Sequence, residues 1–236
     1  MNTSPLIDIA ALAWFLFAWM GYTRFAKKRC ATTICLASVM HMYRQQWMMQ
    51  MMRRENRIAD MSAIASLERS VTFFGSSALI IVAGLLTLLG YINEAMALIS
   101  NLPLSVPQSE LLWEAKILLL LVIFVYAFFK FTWSMRQNGF ATALMGAAPL
   151  AEDRSVSEGE RQDAAERIAR VISMAAHHFN FGIRSYYFAL AALVWFWNPW
   201  IFMAATALVV YVLYRREFHS SVLKTLMSNE RPDIRS

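Results

Sequence analysis

From Val71 to Leu89 the chain carries no charged side chain, and immediately before that run lies one of its densest charge clusters. The run is close to the roughly 20 apolar residues that a helix needs to cross a bilayer. Backbone polar groups in hydrocarbon must be satisfied within the segment, so such a run crosses as a helix. On its N-terminal side, His41-Met-Tyr-Arg-Gln-Gln-Trp-Met-Met-Gln-Met-Met-Arg-Arg-Glu-Asn-Arg57 is rich in Met and Arg, and Asp60, Glu68 and Arg69 follow. Lys and Arg gather on the cytoplasmic side of membrane helices. The stretch from His41 to Gly90 therefore reads as a cytoplasmic amphipathic segment rising into a membrane.

Composition agrees. Of 236 residues, 58% are hydrophobic and only 16% are charged, against about 25% charged in an average soluble domain. The net charge of +6 comes from residues flanking apolar runs. That is the positive-inside pattern rather than a nucleic-acid surface, and no nucleic-acid partner is expected. Asp8 is the only charged side chain before Arg24. An N-terminus without a basic region is unlike a cleaved signal peptide. It reads as a first membrane helix with the N-terminus outside. Cys30 and Cys35 then fall on the cytoplasmic side, where thiols stay reduced, so no disulfide is expected between them.

The fold class read from this pattern is all-α, a polytopic membrane bundle in one integral membrane domain, residues 1–236. Membrane helices are placed at about 6–25, 71–90, 111–131, 179–197 and 199–214, with cytoplasmic helical segments at about 27–70 and 157–182. Leu36, Met40, Tyr43, Trp47 and Met51 share one helical face, and Arg57 and Asp60 are spaced to pair. Ser105 with Gln108, and Ser157 with Glu160, have capping-box spacing. Asp163 with Arg167, and Glu166 with Arg170, suit an exposed helix face. The last two crossings form a hairpin broken at Asn198-Pro199, because Pro ends a helix and Asn-Pro favours a turn. That hairpin returns Arg215, Arg216, Lys224, Arg231 and Arg235 to the cytoplasm. A single long crossing, giving four membrane helices, is the alternative.

Several strings together resemble a family of bacterial and plant membrane proteins, domain of unknown function 599. They are Lys27-Lys28-Arg29 with Ala31-Thr32-Thr33, Glu55-Asn56-Arg57-Ile58-Ala59-Asp60, Leu67-Glu68-Arg69-Ser70-Val71-Thr72-Phe73-Phe74, Arg184-Ser-Tyr-Tyr-Phe-Ala-Leu-Ala191 and Leu213-Tyr-Arg-Arg-Glu-Phe218. The resemblance implies a multi-helix protein of the bacterial inner membrane. It carries no activity and no catalytic residue.

Three constellations carry chemistry. Arg69, Thr72, Ser76, Ala83 and Thr87 form a small, mildly polar stripe on the second membrane helix, suited to helix packing or to lining a hydrated path. Glu55, Asn56, Arg57, Asp60, Glu68 and Arg69 form a polar network at the membrane entrance, suited to ion pairing or to a charged mouth. Met48, Met49, Met51 and Met52 with His41 offer soft ligands that would suit Cu(I), or an adaptable apolar surface. Lys130 reads as a snorkelling residue. No nucleotide, hydrolase or zinc motif occurs, so no enzyme activity and no cofactor are expected. The expectation is an oligomeric channel or transporter for a small ion or solute, in contact with membrane lipids and assembled as a homo-oligomer. The alternative is a scaffold whose Met-rich basic surface docks a cytoplasmic protein partner or lipids.

Overall fold

The structure, a computed structural model, describes residues 5–103, 106, 108–153 and 155–228. Among these the chain is all-helical. Its elements are α1 (Pro5–Thr32), α2 (Leu36–Met52), α3 (Ile58–Leu89), α4 (Ile92–Ser100), α5 (Glu110–Gly146), α6 (Glu158–Val194), α7 (Pro199–Phe218) and α8 (Ser221–Ser228). Three helices are long and apolar enough to cross a membrane: Leu6–Thr32 of α1, then α3 and α5.

The frame is α3, α5 and α6, of 32, 37 and 37 residues. At 1.5 Å per residue they run about 48–55 Å, well beyond the ~30 Å of a hydrocarbon core. Helices α1 and α7 pack together and against α6 at one end of this frame, where α4 also sits. Helix α2 packs on α6 at the other. Three apolar layers follow along the axis. At the α4 end, Phe15, Ile117, Leu120, Phe188, Trp195 and Phe202 are buried together. In the middle, Val71, Ala127 and Phe131 pack with Phe74, Phe179 and Tyr186. At the α2 end, Met48, Met51, Met52, Ile64, Met145 and Ile168 form a third cluster.

Local signals place the helix starts. Ser157 and Glu160 make the expected reciprocal capping box on α6. Asn198 caps α7 through Trp200 N, with Pro199 in its first turn, so the helical chain breaks where expected. Glu166 and Arg170 pair across one helical turn.

Other expectations are corrected. The cap of α5 is Ser109, which accepts from Leu112 N. Gln108 bonds elsewhere, and Ser105 lies outside the described residues, as do Pro107, Arg231 and Arg235. Segments 157–182 and 179–197 are one uninterrupted helix, with no proline between Glu158 and Val194 to break it. Segment 27–70 is divided among the end of α1, all of α2 and the start of α3. The connection between α3 and α5 holds the short α4. The α2 face is also rotated from the expected one: Val39, Met48, Met51 and Met52 are its buried residues. Met48, Met51 and Met52 are thus buried against α5 and α6, with Met49 partly buried beside them. Finally, Cys30 and Cys35 are joined by a disulfide, closing the break between α1 and α2 with their Cα atoms 5.4 Å apart. That separation lies within the range a disulfide spans. The expectation of free thiols weighed compartment alone and not this turn.

Candidate functional site

The buried face of α5 runs through all three layers. Lys116, Leu120, Ile123, Ala127, Phe131, Ser134, Asn138, Ala141 and Met145 follow at steps of three or four, and all are buried. The face is polar at Lys116, apolar from Leu120 to Phe131, and polar again at Ser134 and Asn138.

At the α4 end, Lys116 is 1% exposed and Asp8 of α1 is 4% exposed. Lys116 Nζ donates to Gln108 Oε1 at 2.5 Å and to the Trp195 carbonyl at 2.9 Å, and lies 3.6 Å from Asp8 Oδ1. Trp195 Nε1 donates to the same Asp8 oxygen at 2.8 Å. The ammonium also sits 4.8 Å from the centroid of the Trp195 ring. Gln108 is oriented by donating to the Phe196 carbonyl at 3.2 Å. A charged pair in such a place is stable only when each hydrogen-bonding position is used, and here α1, α5 and the end of α6 each supply partners. No local spacing in the sequence gives Lys116 a partner. The signal that could have found the pair is an acid and a base within two largely apolar helices.

The middle layer is closed by rings. Phe131 stacks against Phe74 at a centroid distance of 5.8 Å and meets Phe179 at 5.7 Å and Tyr186 at 5.6 Å. Tyr186 is held in turn, donating to the Phe74 carbonyl at 2.8 Å with Ser77 Oγ 3.1 Å away. Gly182 of α6 is what admits the Phe131 ring, since a Cβ there would lie 2.5 Å from Cε1.

At the α2 end a cavity of about 200 Å³ opens between α2, α3, α5 and α6, lined by Arg44, Ser70, Ser134, Asn138, Phe179 and Asn180 among others. Ser134 Oγ donates to the Ala175 carbonyl at 2.7 Å. The Asn138 side chain is 3% exposed and makes no hydrogen bond among the described residues. Arg44 reaches Ser173 Oγ at 3.5 Å, and His41 Nδ1 lies 2.9 Å from the same oxygen. Burial draws the Arg44 guanidinium below its ordinary range, with no carboxylate offsetting it.

The polar network expected at the entrance divides. Asp60, 2% exposed, accepts from Trp47 Nε1 at 2.7 Å and from Arg54 at 2.5 Å. Its partner is thus Arg54 and not Arg57. Arg57 instead donates to the carbonyls of Met145, Ala148 and Pro149, which closes the C-terminus of α5. Asn56 accepts from Ile58 N at the start of α3, while Glu55 and Arg69 are exposed. The stripe Arg69, Thr72, Ser76, Ala83 and Thr87 lies on an exposed face of α3. Thr72 and Thr87 bond back to the carbonyls of Glu68 and Ala83. This stripe stands apart from the buried face of α5. Lys130 lies over the rings of Tyr126 and Phe181.

Cys30, Cys35 and Glu217 bring their ligand atoms within 4.8 Å of one another. As a disulfide the sulfurs offer no thiolate; as thiolates they would present two soft donors and one carboxylate. Glu217 also pairs with Arg184 at 3.2 Å.

The fold and this distribution of polar groups define an all-helical protein with apolar helices of membrane-spanning length. The chain belongs to a family described as protein of unknown function, DUF599, whose profile it matches over residues 10–222. No curated protein and no solved structure matches it.

Proposed function

We propose that the protein is a multi-pass transporter or channel for a small ion or solute in the bacterial inner membrane, with the path along the buried face of α5 and in a closed state here. The observation that carries this reading is the order of residues on that face: a buried Lys116–Asp8 pair, an aromatic barrier, then a polar cavity. Ionisable side chains inside membrane helices are costly and most often serve a pathway. In this reading the second half of α6 and all of α7 complete five crossings. The N-terminus is outside, and the α2 end, which carries most of the Arg and Lys residues, is cytoplasmic. Burial of the α2 methionines weakens the scaffold alternative, and no partner protein or cofactor is required. The exposed stripe of α3 favours a face that meets lipid or another copy of the chain, consistent with a homo-oligomer.

The test is flux of a panel of small cations, anions and neutral solutes through vesicles carrying the purified protein. Phe131→Ala opens the barrier and should raise flux of at least one solute above wild type, while Lys116→Met lowers it. Vesicles no leakier than protein-free ones with both wild type and Phe131→Ala would refute the reading.

A further inference from the structure

We propose that the cavity between α2, α3, α5 and α6 binds a small oxyanion, a carboxylate or phosphate group, held by Arg44 and Asn138. The sign of the ligand follows from the lining. Among the described residues Arg44 is the one charged residue on the wall and no acidic side chain lines the cavity, and Arg44 makes its polar contact with a neutral hydroxyl at 3.5 Å. A guanidinium offers five N–H donors in a fork that matches a carboxylate or phosphate edge. Asn138, itself 3% exposed, adds two amide donors that make no hydrogen bond among the described residues. A ligand in this cavity would supply their partner. The Ser134 hydroxyl donates its hydrogen bond to the Ala175 carbonyl, so it has no proton left for the anion. The remaining wall includes Val71, Ile172 and Phe179, which lowers the local dielectric and strengthens the charge-assisted bonds.

The size of the ligand follows from the volume. About 200 Å³ is the liquid volume of roughly six or seven water molecules. That admits inorganic phosphate, a short carboxylate or the phosphate of a lipid headgroup, and excludes a nucleotide. One guanidinium neutralises one charge, so the bound group is monoanionic in effect. Binding rests on the cavity alone; its place as one station of a path rests on the transport function proposed above.

The test uses the full chain in detergent. Thermal unfolding is followed with sodium acetate or inorganic phosphate against bulky gluconate at matched ionic strength, and then in nanodiscs of phosphatidylcholine with and without phosphatidylglycerol. A saturable rise of the unfolding midpoint with acetate or phosphate is expected. Arg44→Met should weaken apparent affinity at least tenfold, Arg44→Lys less, and Asn138→Leu, which fills the cavity without adding charge, should also weaken it. A rise seen only with phosphatidylglycerol, and lost in Arg44→Met, would assign the oxyanion to a lipid headgroup. No rise in any arm, or an equal rise in wild type and Asn138→Leu, would overturn the proposal. Binding without flux would sink the transport reading and leave this site standing.

Discussion

The contact between Gly182 and Phe131 gives the most direct test of the packing on which the barrier depends. Gly182→Ala adds one methyl group, and its Cβ would fall 2.5, 2.6 and 2.8 Å from three carbons of the Phe131 ring. Those distances are about 1 Å inside ordinary carbon–carbon contact. The ring cannot yield freely, because Phe131 is 1% exposed and is held between Phe74, Phe179 and Tyr186. Overpacking of this kind costs about 1–3 kcal/mol. For a chain of this size that corresponds to a fall of roughly 2–12 °C in unfolding midpoint. The control is the double variant. Phe131→Ala alone should cost about 3–5 kcal/mol through the cavity it leaves, but Gly182→Ala in that background should cost almost nothing further. The two substitutions therefore couple by about 1–3 kcal/mol, measured by thermal or denaturant unfolding in detergent. If Gly182→Ala destabilises equally with and without the Phe131 ring, the clash is not the cause and the close α5–α6 approach is refuted.

Three further outcomes follow. Lys116→Met leaves Asp8 buried with Trp195 Nε1 as its donor and should cost about 3–5 kcal/mol, whereas Lys116→Met with Asp8→Asn should cost much less than the two single changes summed; additive losses in unfolding experiments would show that the pair is not coupled. Ser157→Ala removes the N-cap of α6 and should cost about 1 kcal/mol. Its hydrogen bonds also hold the Glu160 carboxyl below the usual carboxylate range, so the capping contribution is present above that range and is lost as pH falls through the depressed value. Carbon NMR titration should show the Glu160 value rising in the variant, and an unchanged value would contradict the capping geometry. Protein purified without reductant should leave Cys30 and Cys35 closed to alkylation, as read by mass spectrometry, and alkylation of both without reductant would show the pair open.

What the sequence disclosed and what it withheld divide by range of interaction. The start of α6 at Ser157 and the break at Asn198-Pro199 depend on neighbours within four residues, and both were readable. The junction at Val71 was readable because it is a change in composition. The buried Met48, Met51 and Met52 were not, since a Met-rich amphipathic face looks the same whether it meets lipid, a partner or its own chain. Only the path of α6, continuing straight past Phe179, brings Ile168 and Ile172 over it. Arg57 and Asp60 had pairing spacing, yet a helix start falls between them, so Arg57 turned to the end of α5 and Asp60 to Arg54. The Asp8–Lys116 contact joins residues more than a hundred positions apart, and no local pattern encodes it.

That contact also bears on what the bundle is for. A buried ion pair is a poor way to stabilise a protein: replacing both members by apolar residues of similar size is often neutral or stabilising, because the desolvation of two charges disappears with them. The layer around Lys116 already holds Phe15, Ile117, Phe188 and Trp195, which is ample apolar surface to join α1 to α5 without charge. If Lys116→Met with Asp8→Leu folds as well as wild type, packing gives no reason for the charges to be there, and a part in moving or binding ions becomes the reading that accounts for them. If the double variant fails to assemble while single apolar changes nearby are tolerated, the pair fixes how α1 docks, and the path along α5 loses its outer station.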